Sequence, residues 1–167
     1  RLGFDRVRLG ARVAAIGQTD AGVTATLEDG STVTGDVLIG ADGIHSIVRE
    51  QALAPDRPKF AGYSAWRGIV PAEKARHLPL DRYSDCWLGP GRSVVVYFIS
   101  GGRSINWIII GESPGADRES WSARGSREDA LREIEGWHET VRGLVALSEA
   151  PLITRLYDRE PMKRWVN

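Results

Sequence analysis

The stretch "DVLIGADGIHSIVRE", residues 36–50, holds the pattern that decides the fold of this chain. It begins with "DVLIGA", residues 36–41, a continuous apolar run as expected of a strand that is buried on both faces. Apolar residues then recur at the helical spacing i, i+3, i+4, i+8, at Ile44, Ile47, Val48 and Ala52. The pair Asp42-Gly43 is therefore predicted to join a buried strand to a helix.

A second Asp-Gly pair, Asp29-Gly30, has different surroundings. The preceding residues alternate between apolar and polar from Val23 to Glu28, which predicts a half-buried strand. The turn residues "EDGS" follow, and "TVTG" then begins a return strand. Asp29-Gly30 is thus predicted to be a hairpin turn, and Asp42-Gly43 is not.

The rest of the chain predicts an α/β (α+β) fold with two parts. The segment "APDRPKF", residues 54–60, carries two prolines and is the best candidate for a domain crossing. Four short β-type runs follow, and turn residues separate the last three of them, which favours one sheet of three or four antiparallel strands. The segment 127–150 predicts two helices with a break near Gly136, and "PLITRLYDREP" predicts a final strand. We expect a first domain over 1–57, a sheet domain over 58–158, and a return to the first domain over 159–167.

Composition excludes several classes of partner. Lys plus Arg equals Asp plus Glu, 22 each, so no bulk charge suits nucleic acid or an anionic membrane. No apolar run approaches the length of a membrane span. The one cysteine, Cys86, excludes an internal disulfide and fits a reducing compartment, which predicts a cytoplasmic protein. The three histidines have no ligand spacing, so no metal site is predicted.

Two interpretations of Asp42 follow from its residues alone. Gly40 and Gly43 lack a Cβ, so a ligand can approach the backbone there. An acidic residue at such a link can accept hydrogen bonds from ribose hydroxyls, as in dinucleotide-binding folds. Asp is also a good helix N-cap and needs no ligand for that role. Arg49 can likewise complement the helix dipole or pair with a neighbour.

The stretch 36–50 also resembles the Asp-Gly fingerprint of the single-component FAD monooxygenases of the para-hydroxybenzoate and salicylate hydroxylase type. Matching positions are Val37, Leu38, Ile39, Asp42, Gly43, Ser46 and Arg49. Further stretches similar to the salicylate hydroxylase branch are "AGYSAWRGIVPAE", "WLGPGR", "VVYFISGGRSINWIIIGE" and "LYDREPMKRW". Two fingerprints of the family are missing: the Gly-x-Gly-x-x-Gly loop and the Gly-Asp segment. The sequence is therefore expected to be an internal fragment that does not hold FAD tightly alone.

The resemblance implies a part of a Rossmann-like FAD-binding domain, joined to a substrate domain with an antiparallel sheet and covering helices. It implies FAD as cofactor, NADH or NADPH as co-substrate, and O2. The activity it implies is hydroxylation of a phenolic or benzoate-like ring through a flavin hydroperoxide. FAD-binding roles are implied for Asp42 and Gly43, and also considered for Gly40 and Arg49. For Arg49 a structural ion pair is the favoured interpretation.

Substrate residues are implied less directly. Tyr97 is the candidate for orienting or deprotonating a phenol, and some relatives carry a His where this chain has Ser93. A serine cannot act as the base near neutral pH. Trp107 and Arg67 are candidates for contacting the aromatic ring and a carboxylate, with core packing and a salt bridge as the respective alternatives.

Alternative functions keep the same fold. An epoxidase or reductase would use FAD differently, and a non-catalytic flavin-binding or interaction module would not turn over. We expect a small aromatic substrate, no nucleic acid, no membrane and a possible homodimer.

Overall fold

The computed structural model describes residues 6–53, 56–81, 83–113 and 123–165. The chain divides into two compact units. The first unit comprises Arg1–Lys59 and Asp158–Asn167, and the second comprises Phe60–Tyr157.

The first unit contains a three-stranded antiparallel sheet in the order β1-β2-β3, formed by Val13–Thr19, Gly22–Leu27 and Thr32–Gly35. Thr26 pairs with Thr32 across the second hairpin. Within its turn, Asp29 Oδ1 accepts hydrogen bonds from the backbone N–H of Ser31 (2.9 Å) and from its hydroxyl (2.5 Å), and Gly30 has a φ of 82°. The prediction that Asp29-Gly30 turns a hairpin is confirmed.

The buried strand predicted at 36–41 is wrong. This segment is irregular, and Val37 and Ile39 are 78% and 84% exposed. A strand buried on both faces needs strands beside it to satisfy its backbone groups and layers to cover it. The described part of the chain provides neither for residues 36–41. Without such partners, the apolar run does not form a strand and stays exposed.

The helix predicted after Asp42 is shorter than expected, with a π-helix at Arg49–Leu53. Its predicted apolar face is half-buried. Gln51 fastens it to strand β1 because its side-chain amide replaces a strand partner. Gln51 Oε1 accepts from the N–H of Ile16 at 2.9 Å, and Gln51 Nε2 donates to the carbonyl of Ala14 at 3.3 Å.

The second unit contains the predicted antiparallel sheet, with six strands in the order β5-β6-β7-β4-β9-β8. Their bounds are Lys59–Pro71 for β4, Ser84–Gly89 for β5, Arg92–Ile99 for β6, Ser104–Glu112 for β7, Ala123–Arg124 for β8 and Leu152–Asp158 for β9. The single-turn 3-10 helices Ala72–Ala75 and Ser100–Gly102 lie between strands. The family resemblance had implied such a sheet, and the structure confirms it.

Two helices cover one face of this sheet, α1 at Arg127–Glu133 and α2 at Glu139–Ala146. The predicted break between them occurs at Gly136, with a φ of 77°. The buried core lies between helices and sheet, and its members include Val94, Val96, Ile105, Trp107, Ile109, Ile134, Val141 and Leu144. Because strand side chains alternate, the neighbouring residues of these strands lie on the opposite face of the sheet.

The segment "ESPGADRESWSARGS", residues 112–126, is predicted from its sequence to be a loop, and residues 114–122 of it lie outside the described residues. Residues 123–124 of this segment form the short strand β8 instead of a loop. None of the helices in the described ranges is long and apolar enough to cross a bilayer.

Candidate functional site

The carboxylate of Asp42 folds back onto its own turn. Oδ1 accepts from the hydroxyl of Ser46 at 2.5 Å, and Oδ2 accepts from the N–H groups of Ile47 (2.8 Å) and Val48 (3.2 Å). Asp42 therefore satisfies N–H groups at the start of the helical turn, which is the capping role that needs no ligand.

The cap leaves room for a further interaction. Two carboxylate oxygens provide about four acceptor positions in total, and Asp42 uses one on Oδ1 and two on Oδ2. Burial raises the pKa of Asp42, but the hydrogen bonds from Ser46, Val48 and Ile47 outweigh it and hold the pKa below its ordinary value of 3.8. Asp42 is thus a charged, exposed group with one acceptor position on Oδ1 left for a ligand.

The two glycines near Asp42, Gly40 and Gly43, have different structural roles. A Cβ at Gly40 would lie 2.8 Å from Cβ and Cγ1 of Val48, so Gly40 allows the turn to pack on the helical segment. Gly43 has a φ of 79°, a conformation that favours glycine, and no atom lies within 4 Å of where its Cβ would be. Gly43 therefore leaves the backbone open to a ligand.

Asp42 and Gly43 border a cavity of about 760 Å³ within the first unit. This volume lies within the range of small-molecule sites, about 300–1,000 Å³. The lining comes from three parts of the first unit. The three-stranded sheet contributes Gly17, Gln18 and Val23, the Asp42 turn contributes Gly40, Asp42, Gly43, Ile44 and Ser46, and the returning segment contributes Arg159, Met162 and Trp165.

Arg49 lines the same cavity, and its guanidinium forms an ion pair. Its Nε and NH2 donate to the two oxygens of Asp56 at 2.9 and 2.7 Å, and NH2 also donates to the carbonyl of Glu160 at 2.9 Å. Arg159 donates to the same Asp56 carboxylate. Burial raises the pKa of Asp56, but the hydrogen bonds and charges of the two arginines lower it below its ordinary value. The favoured interpretation of Arg49 as an ion-pair partner agrees with this geometry.

Acid is expected to weaken the first unit through Asp42. A carboxyl group whose pKa is lower in the folded state stabilises fully above its unfolded pKa, here near 3.8, and loses that contribution as pH falls through the folded pKa. Asp42→Asn keeps an acceptor oxygen but cannot titrate. The free energy of unfolding, measured by urea denaturation from pH 7 to 2.5, should therefore differ between wild type and variant at pH 7 and converge below pH 3.8. A difference independent of pH would contradict the altered pKa.

The face of the second sheet that the helices leave uncovered, here called the open face, carries Tyr97. Tyr97 lies opposite Asn106, which lies opposite Ile69 on the next strand. Directly opposed residues share a face, so these three form a row across the sheet. Tyr97 is 36% exposed, while the Nδ2 of Asn106 is buried and has no partner in the described part of the chain.

Of the other substrate candidates, Arg67 lies on the open face and Trp107 does not. Arg67 lies opposite Ile108, one row from Asn106, and its NH2 donates to Oγ1 of Thr154 at 2.8 Å. Trp107 is fully buried on the helix-covered face, and its Nε1 donates to Ser148 Oγ at 2.7 Å. Core packing, the alternative for Trp107, replaces the substrate role because no part of its ring is accessible.

Sequence reasoning missed Asp56, Arg159 and Asn106. Asp56 and Arg159 are 103 residues apart, and no periodicity links them. The only available signal for Arg159 was its place in the family-like stretch "LYDREPMKRW". Asn106 could have been found as a lone amide within the apolar run "INWIII".

The Asp42 turn borders a cavity of the size of small-molecule sites. Residues 1–155 match the family described as "FAD binding domain", and the chain belongs to this family. The family predicted from the Asp-Gly stretch is thereby confirmed.

Individual relatives agree with this assignment. The chain is 36% identical over 159 residues to 3-amino-4-hydroxybenzoate 2-monooxygenase of Streptomyces cremeus, which covers 95% of this chain and 39% of the relative. It is similar to a salicylate hydroxylase substrate complex, with 25% identity, a TM-score of 0.74, and coverage of 95% of this chain and 43% of that one. It is also similar to HpxO of Klebsiella pneumoniae complexed with FAD and uric acid, with 28% identity, a TM-score of 0.74, and coverage of 99% and 42%. The chain thus spans about two fifths of the length of these relatives.

The residues around the cavity fit a part of FAD. The turn offers open backbone at Gly43 and a remaining acceptor position on Asp42, which suit ribose hydroxyls. Such groups would serve one contact region of a large dinucleotide.

Proposed function

We propose that the protein containing this chain is an FAD-dependent monooxygenase that uses NADH or NADPH and O2 to hydroxylate a small aromatic substrate. The observation that carries this proposal is the match to the FAD binding domain family over residues 1–155. The name of the Streptomyces cremeus relative adds a hydroxylated, amino-substituted benzoate as a guide to substrate class.

In this proposal the first unit contributes to holding FAD. Asp42 and Gly43 would contact it, Gly40 allows the turn to pack, and Arg49 supports the turn through Asp56. Bound FAD supplies the electron-transfer and oxygen chemistry that protein side chains lack. The task of the chain is then to bind and orient both the cofactor and the ring to be hydroxylated.

The second unit would bind the aromatic ring on its open face. Val95 and Ile108 lie opposite one another there and provide an apolar wall that excludes water. The hydroxyl of Tyr97 has no partner in the described part of the chain, so it is available to donate to, or accept from, a phenolic oxygen of the substrate. Arg67 lies on the same face and would favour a carboxylate-bearing ring.

A titration and a turnover assay test the proposal. Binding of FAD is measured in the natural polypeptide that contains these residues. NADH and NADPH oxidation is then followed with salicylate and with 3-amino-4-hydroxybenzoate as probes, while product and hydrogen peroxide are quantified. Hydroxylated product is the expected result. Oxidation of NAD(P)H that yields only peroxide with every aromatic probe would favour the reductase or non-catalytic alternatives. The cytoplasmic location and a homodimer remain part of the proposal.

Removal of the Tyr97 hydroxyl should lower substrate turnover and leave folding unchanged. Tyr97→Phe keeps the ring, and we expect kcat for a phenolic substrate to fall about 100-fold because one orienting or proton-transferring group is lost. The melting temperature should stay unchanged. Tyr83→Phe is the control, since Tyr83 is an 85% exposed tyrosine that precedes strand β5. Equal turnover of both variants would exclude Tyr97 from the substrate site.

A further inference from the structure

The side chain of Arg159 holds one particular carbonyl of the Asp-Gly turn. Its Nε donates to the carbonyl oxygen of Ile44 at 2.9 Å, and its NH2 donates to the same oxygen. Ile44 directly follows Gly43, and its carbonyl is 115 residues away from Arg159 in sequence. Arg159 also lines the cavity that Asp42 and Gly43 border.

The other end of the guanidinium is fixed by Asp56. Arg159 NH1 donates to the backbone carbonyl of Asp56 at 2.9 Å and to its carboxylate. Arg49 approaches the same carboxylate from the helical turn. The three side chains are 13%, 17% and 26% exposed for Arg159, Arg49 and Asp56, so water competes little for these bonds. We call these three residues the Asp56 clamp.

The turn needs such a restraint because of its composition. Glycine is the most permissive residue for the backbone, and at Gly43 no other part of the chain lies within 4 Å of where a Cβ would be. The Asp42 cap fixes residues 46–48. Ile44 lies between the apolar run at 36–41 and the capped residues 46–48. The hydrogen bonds of Arg159 restrain the peptide that follows Ile44.

We propose that Arg159 is a positioning residue for FAD: by holding the Ile44 carbonyl, it fixes the orientation of the Asp42-Gly43-Ile44 turn at the cavity. The proposal rests on the proposed function only for the identity of the cofactor. Arginine suits this task because its planar fork serves the carbonyl and the carboxylate together, and the single ammonium of lysine cannot.

Arg159→Lys separates the two tasks of this side chain. It preserves the positive charge next to Asp56 and loses the bidentate contact with the Ile44 carbonyl. Amide hydrogen exchange in this chain should become about tenfold faster at residues 43–48, as expected for loss of a charged hydrogen bond. FAD affinity, measured by flavin fluorescence in the natural polypeptide that contains these residues, should weaken about tenfold.

Glu160→Gln is the matched control. It removes the ion pair between Glu160 and Lys59. The side chains of Lys59 and Glu160 are 64% and 68% exposed. Exposed pairs contribute little, so neither exchange at 43–48 nor FAD affinity should change. Asp56→Asn is a second variant that weakens the clamp from its other end and should reproduce the effect of Arg159→Lys.

The outcomes are distinguishable. Unchanged exchange at 43–48 in Arg159→Lys would show that Arg159 does not fix the turn and would overturn the inference. Faster exchange with undiminished FAD affinity would overturn the positioning role while leaving FAD binding intact. A wild-type polypeptide that binds no FAD would instead refute the proposed function, and the exchange data would still decide whether Arg159 restrains the turn.

Discussion

Trp107→Ala is expected to cost the second unit about 3–5 kcal/mol of unfolding free energy, the range for truncating a large buried aromatic side chain. The indole is fully buried, and Trp107 is the largest of the fully buried side chains in the described part of the chain. It lies over Gly68, where a Cβ would come within 2.4 Å of the ring, so strand and ring are fitted to one another. Truncation would leave a cavity that the surrounding strands cannot close, and would leave the Ser148 hydroxyl without its donor.

Urea denaturation of Trp107→Ala, Trp107→Phe and Tyr83→Ala tests this expectation. Phenylalanine keeps part of the volume and loses the hydrogen bond to Ser148. The free energy of unfolding of Trp107→Phe should therefore lie between those of wild type and Trp107→Ala. Tyr83 is 85% exposed, and its replacement should change stability by less than about 0.5 kcal/mol. A Trp107→Ala variant as stable as Tyr83→Ala would refute the core role and restore Trp107 as a ligand candidate.

Asp42→Ala is expected to lower both stability and FAD affinity. It removes the acceptor for Ser46, Ile47 and Val48, and loss of such a cap costs about 0.5–2 kcal/mol. It also removes the carboxylate oxygen that remains available at the cavity. We therefore expect FAD affinity to fall by more than tenfold, beyond what the loss of stability explains.

The other Asp-Gly pair provides the control. Asp29→Ala also removes an acceptor that serves Ser31 twice, but its turn lies in the hairpin between β2 and β3. Thermal unfolding should show a modest loss for both variants, whereas FAD titration should separate them. If Asp29→Ala weakens FAD binding as much as Asp42→Ala does, the effect is one of general stability and Asp42 has no special relation to the cofactor.

Local patterns were sufficient for the elements whose bonds are local. The β2-β3 hairpin followed from alternation and from turn residues, since the side-chain hydrogen bonds of Asp29 go to Ser31, two residues onward. Strands β5, β6 and β7 follow one another through short turns and pair with their sequence neighbours, so their existence could be predicted. The two helices and the break at Gly136 followed from apolar spacing and one glycine.

The prediction failed where structure depends on distant partners. Residues 36–41 have the composition of a buried strand, yet composition alone supplies no neighbouring strand to hydrogen-bond with. The faces of Tyr97 and Trp107 could not be assigned either. Tyr97 lies on β6 and Trp107 on the neighbouring strand β7. A shift of one residue in strand register moves every side chain of a strand to the opposite face of the sheet. The observed register pairs Tyr97 with Asn106, which sends the next residue, Trp107, into the core.

The sequence by itself determined the family, because the Asp-Gly stretch and the ordered similar segments that follow it are readable as a linear pattern. It also determined the hairpin of the first unit, the strands β5, β6 and β7, and the two helices of the second unit. Only the tertiary structure decided what each candidate residue does. Asp42 caps its own turn, Trp107 fills the core, and Arg49 meets Arg159 at Asp56. The reason is physical: these roles depend on groups up to 115 residues apart, and the folded chain alone brings such groups within hydrogen-bond distance.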